Sequence, residues 1–210
     1  LIATRIQQLY PLSRSRLGVL VGPGHNGGDA LVIARELHLA GYDVALFRPI
    51  AKLKDLTAQH AQYAESLGIP IYDDINALQD CALFIDGLFG FGLTRSLSSK
   101  VAEAIDLLNQ WRKPVVSIDL PSGLHTDTGE VLGTAVKATY TLCLGLWKRA
   151  FFQDGAIEYI GKAERIDFGV PSQIAEAILF PREFTQLESR PPDPPNLGGE
   201  FFKVPHYWGI

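Results

Sequence analysis

The sequence predicts a doubly wound α/β domain, a three-layer α/β/α sandwich built on a mostly parallel sheet. Three observations carry that prediction. Short apolar runs alternate with stretches whose apolar residues recur at helical spacing. The runs are apolar almost throughout, as strands buried on both faces are. Polar, glycine-bearing loops follow the first, fourth and fifth strands, where ligand loops sit in sheets of this kind.

In chain order, LGVLV at residues 17–21 is the first strand. A helix is expected over about residues 29–40, stopped by Gly41 at its C-cap. Residues 44–47 make the second strand and 56–67 a helix ended by Gly68. Residues 69–72 form a short third strand, 75–78 a minor helix, and CALFIDG a fourth strand. The spacing of Val101, Ala104, Ile105, Leu107 and Leu108 predicts a helix over 100–111. Residues 114–120, 139–144 and 163–166 complete the strands. Right-handed crossovers then give the order 3-2-1-4-5 with extra strands, a Rossmann-like arrangement. From about Pro171 the pattern weakens. ESRPPDPPNLGGEFF carries four prolines and two glycines and reads as a linker or tail. The expected division is a domain over residues 1–172, followed by 173–210 as tail or as the start of a second domain.

Composition narrows the function. The 210 residues are 47% hydrophobic and 20% charged, ordinary for a globular protein with a sizeable core. A net charge of −4 argues against nucleic acid, which needs a basic face. No apolar run is long enough to span a bilayer, and no secretory signal is visible, so the cytoplasm is the expected compartment. Cys81 and Cys143 lie inside strand-like runs and read as small buried hydrophobes. With no methionine in the chain, Leu1 is not an initiator, and the native start is expected upstream.

The loop VGPGHNGGDA raises the main question. Gly22, Gly24 and Gly27 satisfy G-x-G-x-x-G, the dinucleotide fingerprint. Such a cradle leaves the helix N-terminus free for a pyrophosphate. Asp29, at the expected helix start, would instead cap the amides and repel phosphate, although simple helix capping explains that residue equally well. The acid expected roughly 20 residues on is replaced by Arg48, and no Lys-Ser/Thr follows the glycines, so a P-loop is excluded. The other two loops, DGLFGFGLTRS and DLPSGLHTDTG, converge on the same crevice and bring Asp86, Asp119 and Ser122 toward Asn26. Amide, carboxylate and hydroxyl oxygens without a Cys or His cluster suit a hard cation, and one carboxylate among neutral oxygens suits a monovalent one. Asx turns at the two strand ends are the plainer alternative for Asp86 and Asp119.

GPGHNGGD, DGLFGFG and SIDLPSG…DTG, in this order and spacing, resemble the YjeF N-terminal family of NAD(P)H-hydrate epimerases, over residues 1–171. The resemblance implies a Rossmann-like fold and interconversion of the R and S forms of hydrated NADH or NADPH. A separate or fused dehydratase would then complete the repair. It also implies a potassium ion, with Asn26, Asp86 and Ser122 at the positions of its ligands. His25, Asn26, Gly27, Gly28 and Asp29 match one substrate loop. Gly90, Phe91, Gly92, Leu93, Thr94, Arg95 and Ser96 match another, and Asp119 is a further substrate contact. Lys148 falls where the family commonly has a lysine.

The chain departs from the pattern at His25 (usually Asn), at Ala30 (usually Gly) and at WKRAFF, which replaces a KPG-type turn. His25 reads as a loop histidine. Little of the family's N-terminal helical segment precedes the first strand, so a homodimer stays open. Inverting a carbon that bears a hydroxyl and is bonded to the ring nitrogen needs a proton donor and acceptor beside that hydroxyl. Asp119, assisted by Lys148, is the candidate. A binding or scaffold module on the same fold, and a dinucleotide-dependent oxidoreductase, are the alternative readings.

Overall fold

The central apolar runs form strands because each is covered on both sides. The computed structural model describes residues 1–11 and 15–169, and residues 1–169 make one compact unit. The strands are β1 (Leu17–Val21), β2 (Val44–Phe47), β3 (Ile71–Tyr72), β4 (Leu83–Gly87), β5 (Val115–Ile118), β6 (Tyr140–Leu144) and β7 (Lys162–Ile166). They join one sheet in the order β3-β2-β1-β4-β5-β6-β7, every pair parallel. The two extra strands extend the expected 3-2-1-4-5 order beyond β5. The expected start of a tail or second domain at 173–210 lies outside the described residues.

Alternate strand residues feed two cores. Val19, Val21, Leu46 and Ile85 face α1 (Ile2–Leu9), α2 (His25–Leu39) and α3 (Asp55–Ser66), meeting Ile6, Leu31, Leu37, Ala61 and Ala64. Leu20, Phe47 and Phe84 face the other way, onto α4 (Ser99–Trp111) and the 3₁₀ turn Ile75–Leu78. Each fully buried Leu or Phe contributes about 1.5–3 kcal/mol, so the two layers hold the sheet rigid. A third cluster, with Leu120, Leu124, Ala150 and Ile160, lies beneath the loops after β5 and β6. Cys81 and Cys143 are wholly buried, and burial pushes the Cys81 thiol up to about 11. Among the described residues, no helix is long and apolar enough to cross a membrane.

One expectation needs correction. The helix after β1 begins at His25 and not at Asp29, with Gly24 at the N-cap and Gly28 N–H donating to Gly24 O at 3.1 Å. Asp29 therefore lies in the second turn and makes no cap. Helix propensity disfavours Gly27 and Gly28, but packing overrides it. A methyl at Gly27 would sit 1.9 Å from Gly22 O, and one at Gly22 would sit 1.6 Å from Leu88 O. Two of the three fingerprint glycines thus exist to let the chain's own backbone pass, while Gly24 has nothing within 4 Å of its added methyl. The stretch after β6 has no regular sequence pattern. It forms 3₁₀ turns at Arg149–Phe152 and Asp154–Ala156 and then α5 (Ile157–Ile160). Pieces this short have no readable periodicity.

These contacts separate two otherwise similar substitutions. Gly22→Ala must displace the Leu88 carbonyl and is expected to cost about 3 kcal/mol or more. Gly24→Ala meets open space and costs about 1 kcal/mol at most, through a poorer N-cap. Urea unfolding midpoints of the two variants check the contrast; equal losses would contradict it.

Candidate active site at the switch point

β1 and β4 are neighbours, but the chain leaves them in opposite directions across the sheet, which opens a crevice at their carboxyl ends. Asp86, next to last in β4, is fully buried there. Its Oδ1 accepts from Ser122 Oγ at 2.6 Å and from Leu88 N–H at 3.2 Å. Its Oδ2 accepts from Ser117 Oγ at 2.9 Å and from Ser122 N–H at 2.9 Å. Burial raises the carboxyl above its ordinary range, and the bonds from Ser122, Ser117 and Leu88 oppose that rise. Among the described residues, no ion pair reaches it. Ser122 Oγ also accepts from Phe89 N–H at 2.8 Å. One carboxylate therefore binds the loop after β4 to the loop after β5.

Asp119 directly follows β5 in a left-handed conformation, φ 70°, which Asp tolerates better than most residues. Leu120 N–H donates back to Ile118 O at 2.8 Å, closing a tight turn around it. The carboxylate is only 3% exposed as a residue and is used unevenly. Oδ1 accepts from Leu144 N–H at 3.2 Å and from the Lys148 ammonium. Oδ2 faces Gly90, whose added methyl would lie 3.3 Å from it and 3.2 Å from Asn26 Oδ1. Gly90 is thus wedged between the first and third loops.

Asn26 Nδ2 is buried and, among the described residues, has no hydrogen-bond partner. A buried unmet amide is costly, so this group is the natural candidate to meet a ligand. The Lys148 ammonium also donates to Leu144 O at 2.7 Å and lies 3.6 Å from Cys143 Sγ. With its donors occupied, Lys148 fixes Asp119 and the end of β6 and is not free to meet a ligand itself.

The sequence-predicted residues therefore divide. Asn26 and Asp119 both border Gly90, and Asp86 meets Ser122 directly. Gly27 packs on Gly22. Gly28 faces α3, with Thr57 Oγ1 3.4 Å and His60 3.8 Å from an added methyl. His25 is exposed. Asp29 is exposed as a residue, yet its carboxyl is raised, first by partial loss of solvent and then by the charge of Asp119. Phe91, Thr94, Arg95 and Ser96 lie along an exposed stretch, with Leu93 partly covered. Sequence reasoning missed Ser117, visible only as a hydroxyl inside the apolar run VVSIDL. It also missed Thr126, which had no signal.

Fold and crevice define a Rossmann-like domain whose site lies at the point where strand order reverses. The family profile described as "YjeF-related protein N-terminus" matches residues 1–150, and the chain belongs to that family. It is 54% identical over 178 residues to the bifunctional NAD(P)H-hydrate repair enzyme Nnr of Synechocystis, covering 84% of this chain and 34% of that one. The similarity to the protein of the same name from Thermosynechococcus vestitus is 53% over 175 residues, 83% of this chain and 35% of that one. The chain thus spans about a third of the length of these relatives. An NAD(P)H-hydrate epimerase of Limosilactobacillus reuteri is 36% identical over 163 residues, 76% of either chain. The crystal structure of the yeast protein ynu0 superposes with a TM-score of 0.70 at 22% identity, covering 81% of this chain and 76% of that one. That likeness supports the fold alone.

The buried Lys148–Asp119 pair yields a stability test. Lys148→Met strands a buried carboxylate and is expected to cost about 3 kcal/mol. Adding Asp119→Asn should recover part of that loss. Equilibrium unfolding of the double-mutant cycle reads the coupling, and a neutral Lys148→Met would contradict it.

Proposed function

We propose that this domain is an NAD(P)H-hydrate epimerase, which interconverts the R and S forms of hydrated NADH and NADPH. The observation that supports this most is the uneven Asp119 carboxylate. One oxygen is held by Lys148 and Leu144, and the other faces the crevice beside Asn26 and Gly90. Relatives named for this activity, in the family to which the chain belongs, supply the substrate class. Neither the scaffold reading nor the oxidoreductase reading has a comparable observation behind it.

Inversion at the hydrated carbon passes through loss and return of water or through ring opening, and either route moves a proton at the hydroxyl. In this reading Asp119 Oδ2 takes and returns that proton. Lys148 holds Oδ1 so that the carboxylate keeps one orientation. Asn26 and Gly90 bound the space beside Oδ2. The start of α2, from His25 to Asp29, and the loop from Gly90 to Ser96 would border the nucleotide.

The residues also fit a monovalent cation. Asp86 is a buried carboxylate without an ion-pair partner among the described residues, and Asn26 could offer an ion only its amide oxygen, since its unmet Nδ2 is a donor. No group of three His, Cys, Asp or Glu side chains gathers to hold a more highly charged metal among the described residues. Asn26, Asp86 and Ser122 would hold potassium. A bound ion would supply fixed positive charge that steadies the loops and the substrate's phosphates. The bifunctional relatives support a dehydratase on the same or a partner polypeptide as the next catalyst.

The test feeds the R form of hydrated NADH to the protein and follows the S form by chromatography. Wild type should epimerise it, faster with potassium than with a bulky organic cation replacing it. Asp119→Asn should lower kcat by about 10²-fold or more, with its unfolding midpoint nearly kept. Full activity in a folded Asp119→Asn would overturn the assignment.

A further inference from the structure

The loop after β4 has a weak point that directs attention to Thr126. Among the described residues, the stretch from Gly90 to Leu97 makes one hydrogen bond to the rest of the protein, from Gly92 N–H to Thr126 Oγ1 at 3.1 Å. Gly92 has φ 93°, a left-handed conformation that glycine adopts freely and loses as freely. Phe91, one residue before, is 54% exposed. The loop is thus hydrogen-bonded at its root by Ser122 and once more at Thr126, while Gly90 and Leu97 pack at its two ends and Phe91, Gly92 and Thr94 to Ser96 between them are exposed.

Thr126 itself stands on firm ground. The turn that carries it is closed by His125 N–H to Glu130 O at 2.8 Å and Gly129 N–H to His125 O at 2.9 Å. His125 Nδ1 accepts from Asp127 and Thr128 N–H, both at 3.3 Å. Just before it, Leu124 is buried against Leu120, Ala150 and Ile160. The Thr126 carbonyl accepts from Ala150 N–H at 2.8 Å, on the turn that directly follows Lys148. One residue therefore touches both the exposed loop and the turn beside Lys148. Its hydroxyl holds the Gly90–Ser96 loop, and its backbone holds the turn that aims Lys148 at Asp119.

We infer that Thr126 is a positioning residue that latches the Gly90–Ser96 loop in its substrate-ready form. The inference rests on the epimerase reading for its kinetic consequence. The latch itself does not depend on that reading. A loop held in its bound conformation before the ligand arrives loses less freedom on binding, so the latch acts on affinity more than on the chemical step. The turn's backbone bonds survive a side-chain substitution, so Lys148 and Asp119 keep their places when only the hydroxyl is removed.

Thr126→Val, which keeps shape and removes the acceptor, tests this against Thr126→Ser, which keeps it. Hydrogen exchange of the Gly92 amide in the unliganded protein should speed up about tenfold in Thr126→Val and return toward wild type in Thr126→Ser. KM for hydrated NADH should rise about tenfold in Thr126→Val, with kcat within about twofold. Unchanged Gly92 exchange overturns the latch whatever the activity. Faster exchange with unchanged KM overturns its role in substrate binding. Wild-type protein with a protected Gly92 and no epimerisation overturns the epimerase reading and leaves the latch standing. A fall in kcat with KM unchanged assigns Thr126 to the chemical step and overturns the positioning role.

Discussion

The Asp86 carboxylate is the constraint on which the crevice depends. A buried negative charge is tolerated only when hydrogen-bond donors surround it, and the chain supplies four from the ends of two strands and the loops beyond them. The sheet's register makes this possible, because Asp86 pairs directly with Ser117 across β4 and β5. Ser122 then folds back over the same carboxylate and takes the Phe89 N–H with its hydroxyl. Removing the charge would free both loops at once. It is therefore a structural element first, and whatever it does for an ion is superimposed on that.

The second constraint is steric. β1, the glycine loop and the loop after β4 approach so closely that a methyl cannot be placed at Gly22, Gly27 or Gly87. At Gly87 it would lie 2.3 Å from the Ala30 Cβ. Close approach brings the Asn26 amide beside Gly90, which also borders Asp119. The G-x-G-x-x-G spacing thus has a cause unrelated to cradling a pyrophosphate. The same letters serve backbone packing, and the crevice opens beside them.

Much of this was legible in the sequence, for physical reasons that can be named. The central strands are buried on both faces, so their apolar runs were continuous and their order followed from right-handed crossovers. Asn26, Asp86, Asp119 and Ser122 could be grouped because topology puts the ends of β1, β4 and β5 together. The start of α2 was misread because glycine is a poor helix former and Asp29 a good cap. Local preference pointed one way, and the tertiary contact between Gly27 and Gly22 prevailed. The left-handed turn at Asp119 was invisible, since nothing in IDLPSG marks which residue takes a positive φ. Lys148 was matched through the family resemblance alone, and its saturation by Asp119 and Leu144 depends on where β6 ends. Thr126 has no pattern at all, because its importance comes from two bonds to residues far apart in sequence.

The central claim is that three loops enclose a single ligand space. Amide NMR of the protein titrated with hydrated NADH tests it most directly. The account predicts that signals of Asn26, of Gly90 to Ser96 and of Asp119 shift together along one binding curve. Shifts confined to one loop, or separate curves for the three, would contradict it.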